Sequence, residues 1–183
     1  GERALKGRGQ IDTYSLKKRA YLGPTSMDTE LSFIMTNLAQ VQKGSMVMDP
    51  FVGTGSILLS CALRGAYCVG TDIDIRVLRG KGANQTVFSN FQQYGLPRPE
   101  LIRSDNALYH RHYRTDQPLY DAIVTDPPYG LRAGARRTGA KKSVELPDER
   151  RHDHIPQTKP YVVSDVMADL VDMAARTLVK GGR

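Results

Sequence analysis

The chain has 183 residues, 40% of them hydrophobic, and 26 Lys and Arg against 19 Asp and Glu give a net charge of +7. That length suits one domain with a real core, and no apolar run approaches the roughly 18 residues of a membrane helix. Two cysteines, Cys61 and Cys68, form no metal or redox motif, so they read as reduced core residues of a cytosolic or nuclear protein. A basic balance is compatible with nucleic acid or an anionic surface and does not choose between them. No secretory leader is expected from the first residues.

Residues 1–24 read as a basic arm or linker. Arg3, Lys6, Arg8, Lys17, Lys18 and Arg19 stand against Glu2 and Asp12, with no helical or strand period. A solvated arm and a nucleic-acid contact are both open readings, and Tyr14 and Tyr21 are candidate anchors to the core. Residues 25–183 read as the folded domain. Its first element is a helix over 25–41, because Met27, Leu31, Ile34, Met35, Leu38 and Val41 share one face of a 3.6-residue period. Thr25 and Asp28 are its start signals and Lys43-Gly44 its stop.

A short buried strand over 45–48 runs into Asp49-Pro50-Phe51-Val52-Gly53-Thr54-Gly55-Ser56 and a helix over 57–63. A second strand over 66–71 ends at Asp72-Ile73-Asp74, which makes a right-handed βαβ unit. A weaker helix over 75–91 contains Gly80 and Gly82. A third strand over 100–103 ends at Ser104-Asp105-Asn106, and a polar stretch with His110 and His112 follows. The fourth strand, 120–124, ends at Thr125-Asp126-Pro127-Pro128-Tyr129-Gly130. Residues 130–160 show no period and read as a long loop that is functional, mobile or both. Its first part carries Arg132, Arg136, Arg137, Lys141 and Lys142 and no acid. The last element is a helix over 164–178, with Val166, Met167, Leu170, Val171, Ala174 and Leu178 on one face.

Four successive strands therefore end in acids or glycines. In an open α/β sheet such ends converge on one crevice, where the strand order reverses. Asp126 can accept from an amine, Pro127 and Pro128 stiffen the turn, and the Pro127 carbonyl has no ladder partner. Tyr129 offers a flat face. Together they suit a planar exocyclic amine, although a strand simply halted by two prolines is the plainer reading. Gly53 and Gly55 permit a tight turn and close backbone approach. The dinucleotide pattern G-x-G-x-x-G fails at Leu58, and Asp49 would repel a pyrophosphate. An acid there suits the ammonium or sulfonium of S-adenosylmethionine. Asp72, roughly 20 residues on, is placed for ribose hydroxyls, and Asp105 with Asn106 for an adenine amine. The pairs His110/His112 and His152/His154 lack a nearby cysteine or an i, i+4 partner, so no metal site is expected.

The segments Asp49–Gly55, Gly70–Asp74 and Asp126–Gly130 resemble the class I methyltransferases that act on guanine N2 in tRNA. The nearest resemblance is to the family that modifies the guanosine at tRNA position ten. Tyr14-Ser15-Leu16-Lys17-Lys18-Arg19, Thr25-Ser26-Met27-Asp28 and Arg136-Arg137-Thr138-Gly139 are similar to its eukaryotic branch. This resemblance implies an α/β, Rossmann-like class I methyltransferase fold with a doubly wound, mostly parallel sheet. The strands read here stop at the fourth strand and its following helix, so the sheet reads as truncated, and the family's THUMP-containing RNA-binding region is not in this sequence. The implied cofactor is S-adenosylmethionine, with S-adenosylhomocysteine as product. Its implied contacts are Thr25, Ser26, Asp49, Phe51, Gly53, Thr54, Gly55, Asp72, Ile73, Asp105 and Asn106. Asp126, Pro127, Pro128 and Tyr129 are the implied catalytic residues, and Arg132, Arg136, Arg137, Lys141 and Lys142 would grip RNA phosphates. The implied partners are tRNA and a small zinc-binding activator subunit, with no membrane, in the cytoplasm. Methylation of adenine N6 or cytosine N4 is the alternative chemistry. A non-catalytic module that binds the cofactor or RNA is the alternative class.

Overall fold

Strand β1 (Met46–Asp49) occupies the middle of the sheet, with Val47 and Met48 wholly buried. A strand covered on both faces needs such a continuous apolar run. In the computed structural model, which describes residues 9, 11–23, 26–128, 136–138 and 158–183, it pairs in parallel with β2 (Tyr67–Asp72) on one side. On its other side is β4 (Ala122–Ile123), also parallel, and β3 (Glu100–Arg103) pairs with the far edge of β2. The order is β3-β2-β1-β4, so the chain steps outward twice and then returns across β1. The reversal lies between β1 and β4, which fixes where the crevice opens. β4 is shorter than the expected 120–124, because Tyr120 bridges to Leu178 while the Val124 amide still donates to the Met48 carbonyl at 3.0 Å.

Helix α1 (Thr29–Leu38) starts four residues later than expected because Asp28 is its cap, accepting from the amides of Glu30 and Leu31. Only part of its expected apolar face meets the core: Val41 is buried and Met27 and Met35 pack against the core cluster. Thr29, Ser32 and Thr36 are buried, whereas Leu31, Ile34 and Leu38 are exposed, Leu38 at 73%. The reason is local: Ser32 and Thr36 donate their hydroxyls to the carbonyls of Asp28 and Ser32, both at 2.8 Å. A hydroxyl so satisfied can be buried at little cost, and small side chains let α1 pack closely on α2 (Ser56–Ala62). All of α2 is buried.

The expected helix over 75–91 is two helices, α3 (Ile75–Arg79) and α4 (Val87–Gln93). Gly80 leaves α3 with φ 76°, and Thr86 and Ser89 form a full capping box that starts α4 afresh. Helix α5 (Val163–Thr177) lies within one residue of expectation. Within the stretch expected to lack structure, β5 (Arg136–Thr138) pairs antiparallel with β6 (Thr158–Pro160). Strands of three residues carry no detectable alternation, so the sequence pattern missed them.

Residues of the predicted basic arm are strapped to the domain. Tyr21 is buried in the core and its hydroxyl donates to the Val77 carbonyl at 2.9 Å. Asn90 of α4 accepts from the Tyr21 amide and donates to the Tyr21 carbonyl, both at 2.9 Å. Gln93 does the same for Ala20 and Lys18. Tyr14 packs edge-on against Tyr94. Both aromatic anchors thus hold. Cys61 and Cys68 are buried free thiols, and burial pushes Cys61 up to about 12 and Cys68 up as well, so neither is a nucleophile. Among the described residues no helix is long and apolar enough to cross a membrane.

Candidate active site

The crevice is pinned at its centre by one carboxylate. Asp49, the last residue of β1, is 1% exposed. Its Oδ1 accepts from the Thr125 hydroxyl at 2.7 Å and from the Phe51 amide at 3.1 Å. Thr125 thus ties the end of β4 to the end of β1. Burial raises the Asp49 pKa to about 7, and the charges of Asp72 and Asp126 push it the same way. Asp49 therefore senses the acids at the ends of two neighbouring strands.

The turn after β1 is held from several sides. Gly53 and Gly55 have φ of 51° and 83°, in the left-handed region that favours glycine. A Cβ on Gly55 would also lie 2.7 Å from Val87 Cγ1, so α4 can approach only because this residue has no side chain. Asp72 Oδ2 accepts from the Gly53 amide at 3.1 Å and Oδ1 from the Asp74 amide at 2.8 Å. Burial pushes the Asp72 pKa up against these bonds. A carboxylate has about four acceptor positions, so both oxygens retain capacity for ligand hydroxyls. Ser26 and Thr54 share a hydroxyl–hydroxyl bond of 2.7 Å. Phe51 and Ile73 flank the turn, half-buried.

Beyond β3, Asp105 is buried and accepts from the Ala107 amide at 3.0 Å and the Thr138 amide at 2.5 Å. The second bond brings the β5–β6 hairpin against this end of the crevice. Asn106 is buried too, and among the described residues its side-chain amide makes no well-formed hydrogen bond, although the Tyr161 hydroxyl lies within its reach. A buried amide so incompletely satisfied is a natural position for a ligand with its own donor and acceptor. Asp126, Pro127 and Pro128 stand half-buried at the end of β4.

The structure thus brings Ser26, Asp49, Phe51, Gly53, Thr54, Gly55, Asp72, Ile73 and the Asp126-Pro127-Pro128 turn to the same end of the sheet, with Asp105 and Asn106 on the β3 side. Thr25, Tyr129, Arg132, Lys141 and Lys142 lie outside the described residues. Arg136 is exposed on β5. Arg137 pairs with Asp165 at 3.2 Å, and its guanidinium lies 5.5 Å from the Tyr161 ring centroid, so its charge is engaged within the fold. Among the described residues no three His, Cys, Asp or Glu gather as metal ligands. Sequence reasoning missed Thr125, Ser56 and Asn90. The position of Thr125 directly before Asp126 was the one available signal.

A parallel sheet with its order reversed beside β1, a glycine turn after that strand and acids at each strand end define a Rossmann-like class I methyltransferase fold. The chain belongs to the family of RMKL-like methyltransferase domains, which matches residues 17–144. It is 48% identical, over its whole length, to the tRNA (guanine(10)-N(2))-methyltransferase TRMT11 of Dictyostelium discoideum, of which it covers 36%. To the protein of that name in Homo sapiens it is 41% identical over 96% of this chain and 41% of the relative. The chain therefore spans less than half the length of these relatives. The crystal structure of TrmN from Thermus thermophilus aligns with 60% of this chain and 31% of its own at 26% identity, with a TM-score of 0.49.

Proposed function

We propose that the domain transfers a methyl group from S-adenosylmethionine to the exocyclic N2 amine of a guanosine in tRNA. The observation that carries this reading is the Asp126-Pro127-Pro128 turn beside the Asp49, Asp72 and glycine-turn crevice, within a methyltransferase family. The family's relatives bear names that specify guanine N2 of tRNA. The residues present fit the cofactor: Asp72 for ribose hydroxyls, the buried Asn106 amide for the adenine edge, and Asp49 for the amino-acid end. When bound, the cofactor supplies an electrophilic methyl on a sulfonium.

The chain's own work is positioning. The Asp126 carboxylate and the Pro127 carbonyl accept the two amine hydrogens, which orients the nitrogen lone pair and stabilises positive charge as it grows there. The base must leave its stack to reach the turn. Tyr129, adjoining that turn, is assigned the base face, and the basic residues Arg132, Arg136, Lys141 and Lys142 a share of the phosphate contacts. A small zinc-binding activator subunit is part of the proposal. Exposed Leu31, Ile34 and Leu38 of α1 offer apolar surface for such a partner. Buried free thiols agree with a cytoplasmic location.

The test uses the full-length protein, with its activator, on matched tRNA transcripts. Replacing the target guanosine by inosine, which lacks the N2 amine, should abolish methyl incorporation. Nucleoside analysis that found the methyl on adenine N6 or cytosine N4 would overturn the base assignment, and no incorporation into any base would leave a binding module.

A further inference from the structure

Arg19 is the one Lys or Arg that is buried among the described residues, at 7% exposure. It makes no ion pair there. Its Nη1 donates to Ser56 Oγ at 2.6 Å, and its Nη2 to Thr29 Oγ1 at 3.3 Å and the Tyr14 carbonyl at 3.4 Å. Its Nε is buried without an acceptor. Burial lowers its pKa, and the acid whose charge it feels, Asp28, is engaged in capping α1. A buried cation that has only neutral partners is costly, and an anion brought to it relieves that cost.

The place of this cation in the fold says which anion. Thr54 and Ser56 straddle Gly55 in the glycine turn. Each is held by a residue from the N-terminal side: Thr54 by Ser26 at 2.7 Å and Ser56 by Arg19. Ser56 Oγ accepts from Arg19, so its own hydrogen remains to be donated. At the start of the same turn Asp49 binds its protein partners through Oδ1 and keeps Oδ2 out of those bonds. The turn therefore has an acid at one end and a hydroxyl group backed by a cation at the other. The amino-acid end of S-adenosylmethionine carries one ammonium and one carboxylate.

We propose that Arg19 is the positioning residue for the cofactor's carboxylate, acting through Ser56 and beside the hydroxyls of Ser26 and Thr54. This rests on the reading of the crevice as the S-adenosylmethionine site. The strap that carries Arg19 is latched to α4 by Asn90 and Gln93, so the cation is delivered by a fixed segment.

Calorimetric titration of the full-length protein with S-adenosylmethionine, its decarboxylated form and methylthioadenosine tests the assignment. Arg19→Met should weaken S-adenosylmethionine about tenfold, the size of one lost charge-assisted hydrogen bond, while both ligands without the carboxylate bind within about twofold of wild type. Arg19→Lys should restore part of the difference. Ser56→Ala, which keeps the cation and removes the relay, should show the same selectivity and serves if Arg19→Met does not fold. Equal losses for all three ligands would reduce Arg19 to a structural latch and overturn the proposal, as would unchanged binding of all three. Failure of the wild-type protein to bind S-adenosylmethionine would overturn the cofactor reading itself, and this inference with it.

Discussion

Asp49 has a pKa of about 7 in the free protein, so it is half-protonated near neutrality. A cationic group at the crevice favours its ionised form. Cofactor binding near pH 6.5 should therefore release a proton, and affinity should rise from pH 6 toward pH 8. Titrations in buffers of different ionisation enthalpy read that proton directly; heats that do not depend on buffer would remove Asp49 from the ammonium site. The sign for stability is opposite. Because the folded pKa lies above the unfolded value of about 3.9, the contribution is fully present below that value and is lost as pH rises through about 7. The ligand-free protein should thus melt at lower temperature at pH 8 than at pH 6, and Asp49→Asn should flatten that difference. On the proposed reading, Asp126 holds the reacting amine. Asp126→Asn should lower kcat by roughly 10²–10³, the usual cost of one stabilising contact at a developing charge, with cofactor Kd nearly unchanged. A parallel loss of cofactor affinity would instead place Asp126 at the cofactor.

Elements are held together here by side chains that replace missing ladder bonds. Asn90 substitutes for a neighbouring strand by bonding both the amide and the carbonyl of Tyr21, and its Nδ2 also reaches the Thr54 carbonyl at 3.3 Å. Asn90→Leu would leave those buried groups unsatisfied, at roughly 1–3 kcal/mol each. The expected result is a fall in Tm together with faster hydrogen exchange at the Tyr21 amide, read by mass spectrometry; a slow Tyr21 amide in the variant would mean the strap is held elsewhere. A second element-level constraint is Gly70 in β2. A Cβ there would lie 2.6 Å from Val52 Cγ2 and 2.8 Å from Leu58 Cδ1. Gly70→Ala should cost about 1–3 kcal/mol by overpacking the turn against the sheet, measured as a shift in denaturation midpoint. These contacts also explain what the sequence could reveal. The four strand ends were legible because each short run of β-formers stops at an acid whose role is local. The buried face of α1 was not, since hydroxyls bonded to their own helix carry no apolar period. Nor was the grip of Arg19, which in the sequence is one basic residue after two lysines. Its burial follows from Tyr21, Asn90 and Ser56, which lie far apart along the chain and meet only in the fold.

This chain carries a net charge of +7, which favours a polyanion at long range and would make any such grip depend on salt. Net charge alone does not say which cations touch phosphate, and the structure separates two neighbours. Successive residues of a strand face opposite ways, so Arg136 and Arg137 on β5 point apart. Arg137 turns inward to Asp165 and Tyr161, with its Nε buried, whereas Arg136 is exposed. An inward-turned guanidinium is out of reach of a phosphate, and an exposed one is within reach. Arg136→Gln should therefore weaken tRNA binding and reduce the slope of log K against log salt by about 1, one phosphate contact. Arg137→Gln should leave the slope as it is and lower stability by no more than about 1 kcal/mol, the range of a partly exposed ion pair. Filter binding of tRNA by the full-length protein at several salt concentrations, beside a melting curve for each variant, separates the two effects. A slope that changes for Arg137→Gln and not for Arg136→Gln would mean that the hairpin reorganises when RNA binds, with the Asp165 pair broken to free the guanidinium. In that case the contact between Thr138 and Asp105 would link RNA binding to the cofactor end of the crevice, because the same hairpin carries both.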